Sequence, residues 1–310
     1  MRPTLRQLEY IVTVARLGRF GLAAETLNVS QPSLSAQIAE AERELGARLF
    51  ERNRASVQPT AAGTDVIRRA QNILREVEDL RAAVSGRAPF GGRLRLGVLP
   101  SIGPYLLPRV ITAIHKAQPD LRVIVREEST QSLEQGLKAG RLDLIISTPE
   151  DHPNTRQTRL FNEKLWVAVA RDDPLSQATG PVQPDALAGR IFLTLDRRHR
   201  LSRIVYALAS DCAGIVSDDY EGTSLDSIRL MAASGAGIAI LPELYAMQHK
   251  DRKTEVIIRP LAMAAANRNI ALLHRASDSD PSGLGLIRGA LQAEVISLGL
   301  RSPNSHGKID

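Results

Sequence analysis

Asn28-Val29-Ser30-Gln31-Pro32-Ser33-Leu34-Ser35-Ala36-Gln37-Ile38 is the stretch on which the reading of this chain turns. Ser30 is a residue type that accepts a hydrogen bond from the free N–H groups of a helix start, and Pro32 in the first turn sacrifices no helical bond. The helix they open carries Leu34, Ile38, Ala41 and Leu45 on one face and stops at Gly46. The opposite face starts with Gln31, Ser33, Ser35 and Gln37, and Pro32 beside them completes the candidate DNA-reading set. Short side chains that donate and accept, gathered at an amino terminus whose dipole favours phosphate, suit the major groove of DNA. A three-helix bundle whose Gln and Ser residues are merely solvated is the plainer alternative.

Outward from this stretch, Thr4 and Gln7 form a capping box, and Leu5, Leu8, Val12 and Ala15 recur at helical spacing up to Gly18. A short helix over 22–27 precedes the turn at Asn28. After Gly46, Arg48–Arg52 and Ser56–Gln58 flank Asn53-Arg54 as a small hairpin that presents Arg52 and Arg54 to the phosphate backbone or minor groove. Residues 1–60 therefore predict a winged helix-turn-helix. Thr60 opens a long helix in which Val66, Ala70, Ile73, Val77, Leu80 and Val84 step by 4, 3, 4, 3 and 4, the spacing of a coiled-coil seam. Residues 61–86 are read as a linker and dimerisation helix, because two groove-reading helices need a dimer to reach successive half-sites.

Composition narrows the classes. The 310 residues, at roughly 150 per domain, predict about two globular units. Apolar residues make up 43% with no run of about 18, so the chain reads as soluble, with no membrane partner. The single Cys212 cannot form an internal disulfide, and six scattered histidines show no zinc spacing, so no metal or cofactor is expected. The start of the chain lacks a secretory pattern, and a cytoplasmic protein is expected. Forty basic against 34 acidic residues give +6. Residues 1–90 hold 13 Arg, 10 acids and no Lys, so half of that excess sits in the smaller segment, as arginine.

A Gly/Pro-rich break at 85–92 separates this segment from short apolar strands at 94–99, 121–125, 142–147, 166–170, 191–195, 237–241 and 270–274. Helical patterns lie between them, over 104–117, 203–213 and 225–233 among others, which predicts α/β layers with mainly parallel sheets. Ligands in such sheets sit beyond the carboxyl ends of strands at helix amino termini. Ser101, Thr130 and the pair Thr223-Ser224 occupy that kind of position, although each is also explained as a helix cap. No glycine-rich phosphate loop and no nucleophile–base–acid set stands out, so an enzyme is not expected.

The run Ala23-Ala24, Leu27, Val29 to Ser35, Ile38, Glu42, Leu45-Gly46, Leu49 to Arg52 and Thr60 to Gly63 resembles the amino-terminal domain of LysR-type transcriptional regulators. Gly21 stands where that family usually caps the second helix with Ser or Thr. The resemblance implies an α+β multidomain regulator: a winged helix-turn-helix, a linker helix and a two-lobed effector domain of periplasmic-binding-protein type over 92–301. The lobes would be 92–165 with 268–301, and 166–267. It also implies promoter DNA, a homodimer or homotetramer, RNA polymerase as a further partner, and activation as the output.

Through Leu99 to Pro108, Thr223 to Leu225 and Ala233 to Ile238, the second segment resembles the peroxide-sensing, OxyR-like branch of that family. There a reactive cysteine directly follows a histidine matching His199, and a second cysteine lies downstream. This chain has Arg200 at the first position and about Ala209 at the second. The resemblance implies pocket positions at Ser101, Thr130, His199 and Arg275. Arg200 and Arg275 together suit a bidentate grip on a carboxylate or phosphate, so a small anionic effector is expected. Two alternatives stay open: an oxidative-stress regulator using Cys212, and, from another class, a solute-binding protein.

Overall fold

The computed structural model describes residues 3–52, 57–84, 89–177, 179–249, 256–276 and 280–300. The chain divides into two units, Met1–Gly91 with Ala139–Arg141, and Gly92–Lys138 with Leu142–Asp310.

In the first unit, α1 (Leu5–Leu17), α2 (Phe20–Thr26) and α3 (Gln31–Leu45) precede a hairpin of β1 (Phe50–Arg52) and β2 (Val57–Pro59), and α4 (Ala61–Val84) follows. The caps form as the residue types dictate. Gln7 N–H donates to Thr4 Oγ1 while Thr4 N–H donates to Gln7 Oε1 at 2.8 Å. Gly18 and Gly46 end α1 and α3 in the left-handed region. Two local expectations change. Arg19, not Gly21, caps α2, and Gly21 lies inside its first turn. On α1 the fully buried residues are Ile11 and Val14, with Tyr10 and Leu8 close behind, whereas Val12 and Ala15 are half-buried. Three neighbours, α2, α3 and α4, surround α1 and bury a wider stripe than one face.

In the second unit the order is β3 (Arg93–Val98), α5 (Gly103–Ala117), β4 (Arg122–Glu127), α6 (Thr130–Lys138), β5 (Leu144–Ser147) and β6 (Thr155–Ala170). Then come β7 (Ile191–Leu195), α7 (Arg200–Asp211), β8 (Ile215–Gly222), α8 (Leu225–Ala233), β9 (Ile238–Pro242) and α9 (Glu243–His249). The strands β10 (Val256–Pro260) and β11 (Asn267–Arg275) and the helix α10 (Leu284–Ser297) close the unit.

The strands run β4-β3-β5-β11-β6-β9-β7-β8, with β10 also on β6. The sheet is mixed where mainly parallel pairing was expected. β3 pairs parallel with β4 and β5, and β7 with β8 and β9, but β6 and β11 are antiparallel to every partner. The expected strand 166–170 is the last part of β6, 16 residues long. Its first ten residues pair with β11, and the remainder pairs with β9 and β10. One continuous strand thus belongs to both halves of the sheet, with β11 alongside it. The polar first half of β6, Thr155-Arg156-Gln157-Thr158-Arg159, hides its strand character because it lies at a partly exposed edge of the core. The helix expected over 203–213 starts earlier, at Arg200, and Cys212 is its carboxyl cap.

Candidate functional site

The first candidate surface lies on α3. Ser30 Oγ accepts from Ser33 N–H at 3.3 Å, as its residue type predicts. Leu34, Ile38 and Ala41 are fully buried against α1 and α2, which turns Gln31, Pro32, Ser33 and Gln37 outward, with Ser35 half-buried beside them. The buried stripe therefore orients the polar face. The hairpin is tied to α3 by Glu42, whose Oε1 accepts from the N–H groups of Leu49 at 2.7 Å and Phe50 at 3.2 Å. Arg52 closes β1 opposite Val57, and Arg54 lies outside the described residues. Thr60 links hairpin to α4, donating to Arg48 O at 2.7 Å and accepting from Gly63 N–H at 2.9 Å. Gly63 packs so closely on Leu49 that a Cβ there would enter the carbonyl oxygen. On α4, Ala70 is buried, whereas Ile73 and Leu80 are 45% and 64% exposed, an apolar row left open by the single chain.

The second candidate is a cavity of about 220 Å³ in the second unit. Its wall is built where three helices begin, with Pro104 in the first turn of α5, Arg200 of α7 and Leu225 of α8. Of the expected residues, Ser101, His199, Arg200 and Thr223 line it. Ser224 caps α8, its Oγ accepting from Ser227 N–H at 3.1 Å, and it too reaches the wall. Burial holds the imidazole of His199 below its ordinary range, against the pull of Asp196, so it presents a neutral ring.

Thr130 and Arg275 are not brought to this wall. Thr130 begins α6 with its hydroxyl buried. Arg275 Nη1 donates to the carbonyls of Leu137 and Leu142 at 3.2 and 3.4 Å. Arg200 for its part donates to Asp151 at 3.0 Å, beside Arg203 at 2.8 Å. The expected two-arginine clamp on an anion is therefore not assembled. The reason is distance along the strand: Arg275 stands at the far end of β11 from the cavity.

The arginine that does line the cavity is Arg268, seven residues earlier on β11. Its side chain is 2% exposed and pairs with the fully buried Glu163 of β6 at 2.7 Å, while its Nη2 donates to Ser101 Oγ at 2.9 Å. Leu244 N–H donates to the other Glu163 oxygen at 2.9 Å. Burial pushes Glu163 up, and the guanidinium and that N–H pull it down. Sequence reasoning missed this pair because its members are 105 residues apart. Glu127, Tyr105 and Asp226 also line the cavity. Tyr105 meets Tyr245 edge to face, and Tyr245 donates to Asp226 at 2.6 Å.

Cys212 does not reach the cavity. It packs in the core with Phe192, Leu208 and Ala209, 6% exposed, and its Sγ lies 3.6 Å from Ala209 O. Burial raises its thiol pKa, which suppresses the reactive thiolate. Among the described residues no group of His, Cys, Asp and Glu could hold a metal ion, and no helix is long and apolar enough to cross a membrane.

A helix-turn-helix with a hairpin wing, followed by an α/β unit with a polar cavity at converging helix starts, defines a DNA-binding transcription regulator with an effector-binding domain. Residues 5–64 match the bacterial regulatory helix-turn-helix proteins of the lysR family, and residues 87–295 match the LysR substrate binding domain. The chain belongs to the LysR family of transcription regulators. It is 33% identical to the hydrogen peroxide-inducible genes activator of Haemophilus influenzae over 95% of this chain and 98% of that protein. Full-length OxyR from Pseudomonas aeruginosa, carrying a cysteine-to-aspartate substitution, is similar in structure, with a TM-score of 0.73 at 30% identity over 94% of this chain and 98% of that one. Full-length BenM is similar with a TM-score of 0.59 at 26% identity, covering 97% and 100%. The family match over residues 5–64 sets aside the reading as a solute-binding protein.

Proposed function

We propose that this regulator acts as a homodimer or homotetramer on promoter DNA in the cytoplasm, and that a small polar effector in the cavity, not oxidation of a thiol, controls it. Gln31, Pro32, Ser33, Ser35 and Gln37 read the major groove, and Arg52 and Arg54 of the wing hold phosphates. The open row of Ile73 and Leu80 on α4 is covered by a second copy of the chain. The output is activation through RNA polymerase, as the names of its relatives suggest, and the chain binds rather than catalyses.

The observation that carries the effector reading is the wall itself. Ser101, Thr223 and the buried Arg268 present donors beside the start of α7, whose cap residue His199 supplies no side-chain bond to its free N–H groups. The absence of Cys212, the chain's single cysteine, from this wall supports the same reading, since it packs in the core.

The test uses DNA fragments selected from the source genome by the purified full chain. Footprints are compared for wild type and for Thr223→Trp, which fills the cavity from an exposed position. The expected result is that both bind the same fragments and that only the wild type changes its footprint with cell-derived small molecules. An effector response retained by Thr223→Trp would place the effector elsewhere.

A further inference from the structure

The charges around the cavity do not balance, and the imbalance has a direction. Arg268 is neutralised by Glu163 at 2.7 Å, Arg200 by Asp151 at 3.0 Å, and Asp226 by Arg229 at 3.4 Å. Glu127, at the end of β4, lines the same wall and has neither a hydrogen bond nor an ion pair with any described residue. Its carboxylate sits over the start of α5, so close to Gly103 that a Cβ there would stand 2.7 Å from Oε1. The amino end of α5 meets this exposed carboxylate, which has no cationic side-chain partner among the described residues, so that side of the cavity can receive a cation.

The opposite character gathers at Arg268. Its Nε and Nη2 are used by Glu163 and Ser101, and its Nη1 has no partner among the described residues although the side chain is almost wholly buried. The guanidinium lines the cavity with this N–H open to an acceptor, and Ser101 and the uncapped start of α7 add donors beside it. Ser101, Arg268 and Glu127 line the same cavity, so the donor group and the carboxylate face one small space.

We infer that the effector of this cavity is a small zwitterion, whose carboxylate meets Arg268 and Ser101 and whose protonated amine meets Glu127. The inference rests on the reading of the cavity as the effector site. A dicarboxylate would set its second charge against Glu127, and a diamine would leave the Arg268 N–H without an acceptor. Only a molecule with both groups satisfies both ends.

Three five-carbon probes of matched length separate these cases: 5-aminopentanoate, glutarate and 1,5-diaminopentane, titrated against the full chain by thermal shift and calorimetry at constant ionic strength. The expected result is the largest stabilisation with 5-aminopentanoate. In Glu127→Gln its affinity falls roughly tenfold or more, the scale of a lost charged hydrogen bond, while glutarate gains relative to it. In Thr223→Trp the stabilisation disappears. Glutarate binding as well as or better than 5-aminopentanoate in wild type, an unchanged ranking in Glu127→Gln, or binding of none of the three overturns the zwitterion and leaves the cavity as the effector site. Stabilisation that survives Thr223→Trp overturns the cavity reading itself.

Discussion

Arg200 at the start of α7 donates to Asp151 at 3.0 Å, and so joins the half of the sheet that follows β6 to the half that precedes it. Asp151 is 8% exposed, and Arg203, one turn along α7, donates to the same oxygen at 2.8 Å. The contact latches the start of α7 to the segment just before β6.

Asp151→Ala leaves both guanidinium groups without this acceptor. The expected loss is about 1–2 kcal/mol, read as a fall of a few degrees in the unfolding midpoint of the effector unit. Arg203 is largely exposed and contributes the smaller share. A double-mutant cycle with Arg200→Ala measures the coupling directly, and a coupling within error of zero removes the latch.

Gly63→Ala is expected to destabilise the first unit by about 1–3 kcal/mol. In an open helix the same change stabilises by about 1 kcal/mol, so the sign is diagnostic. The added Cβ would be driven into Leu49 O, in the segment that anchors the wing. Denaturant unfolding of the full chain gives the answer, and a neutral or stabilising result shows that Leu49 has room to retreat.

Gln31→Ala and Gln37→Ala test the exposed end of α3. Each is expected to reduce discrimination between the selected site and random DNA by about 1–3 kcal/mol while changing nonspecific affinity little. Binding isotherms at two salt concentrations distinguish this from a phosphate contact, which would weaken all sequences alike and lower the salt slope.

Peroxide is expected to leave DNA binding unchanged, and Cys212→Ser to behave as wild type with and without it. The buried thiol with its raised pKa is expected to react with a maleimide only as fast as the unit opens. A peroxide response lost in Cys212→Ser would make this residue a sensor.

His152 links acidity to stability. Its Nε2 lies 2.9 Å from Ser147 Oγ, its buried Nδ1 has no partner among the described residues, and burial holds its pKa below 6.5 despite Asp151 nearby. The unfolded chain therefore takes up this proton first as pH falls, so stability declines from about pH 6.5 downward until the folded-state value is passed. His152→Gln is expected to flatten that part of the stability profile between about pH 7 and pH 5, and an unchanged slope assigns the acid sensitivity to other groups.

What the sequence determined by itself is the local grammar of the first unit and its polar face. Caps, glycine stops and the alternation of Leu34, Ile38 and Ala41 with Gln31, Ser33 and Gln37 act over three or four residues, so they survive in the linear chain and suffice for the helix-turn-helix. The start of α8 at Ser224 and the turn holding Ser101 were readable for the same reason. The cavity wall was decided only by tertiary structure. Arg268 and Arg275 share β11, but seven residues at a strand rise of about 3.3 Å separate them by roughly 23 Å, and Arg268 is the one that lines the wall. The partner that fixes Arg268, Glu163, comes from the neighbouring antiparallel strand β6, and the register Arg268↔Glu163 has no trace in sequence spacing. Arg200 occupies the wall as expected, yet its charge is answered by Asp151, and Glu127 has no ion pair among the described residues. Charge at a site is a sum over neighbours in space, and those neighbours are set by the register in which β6 and β11 pair.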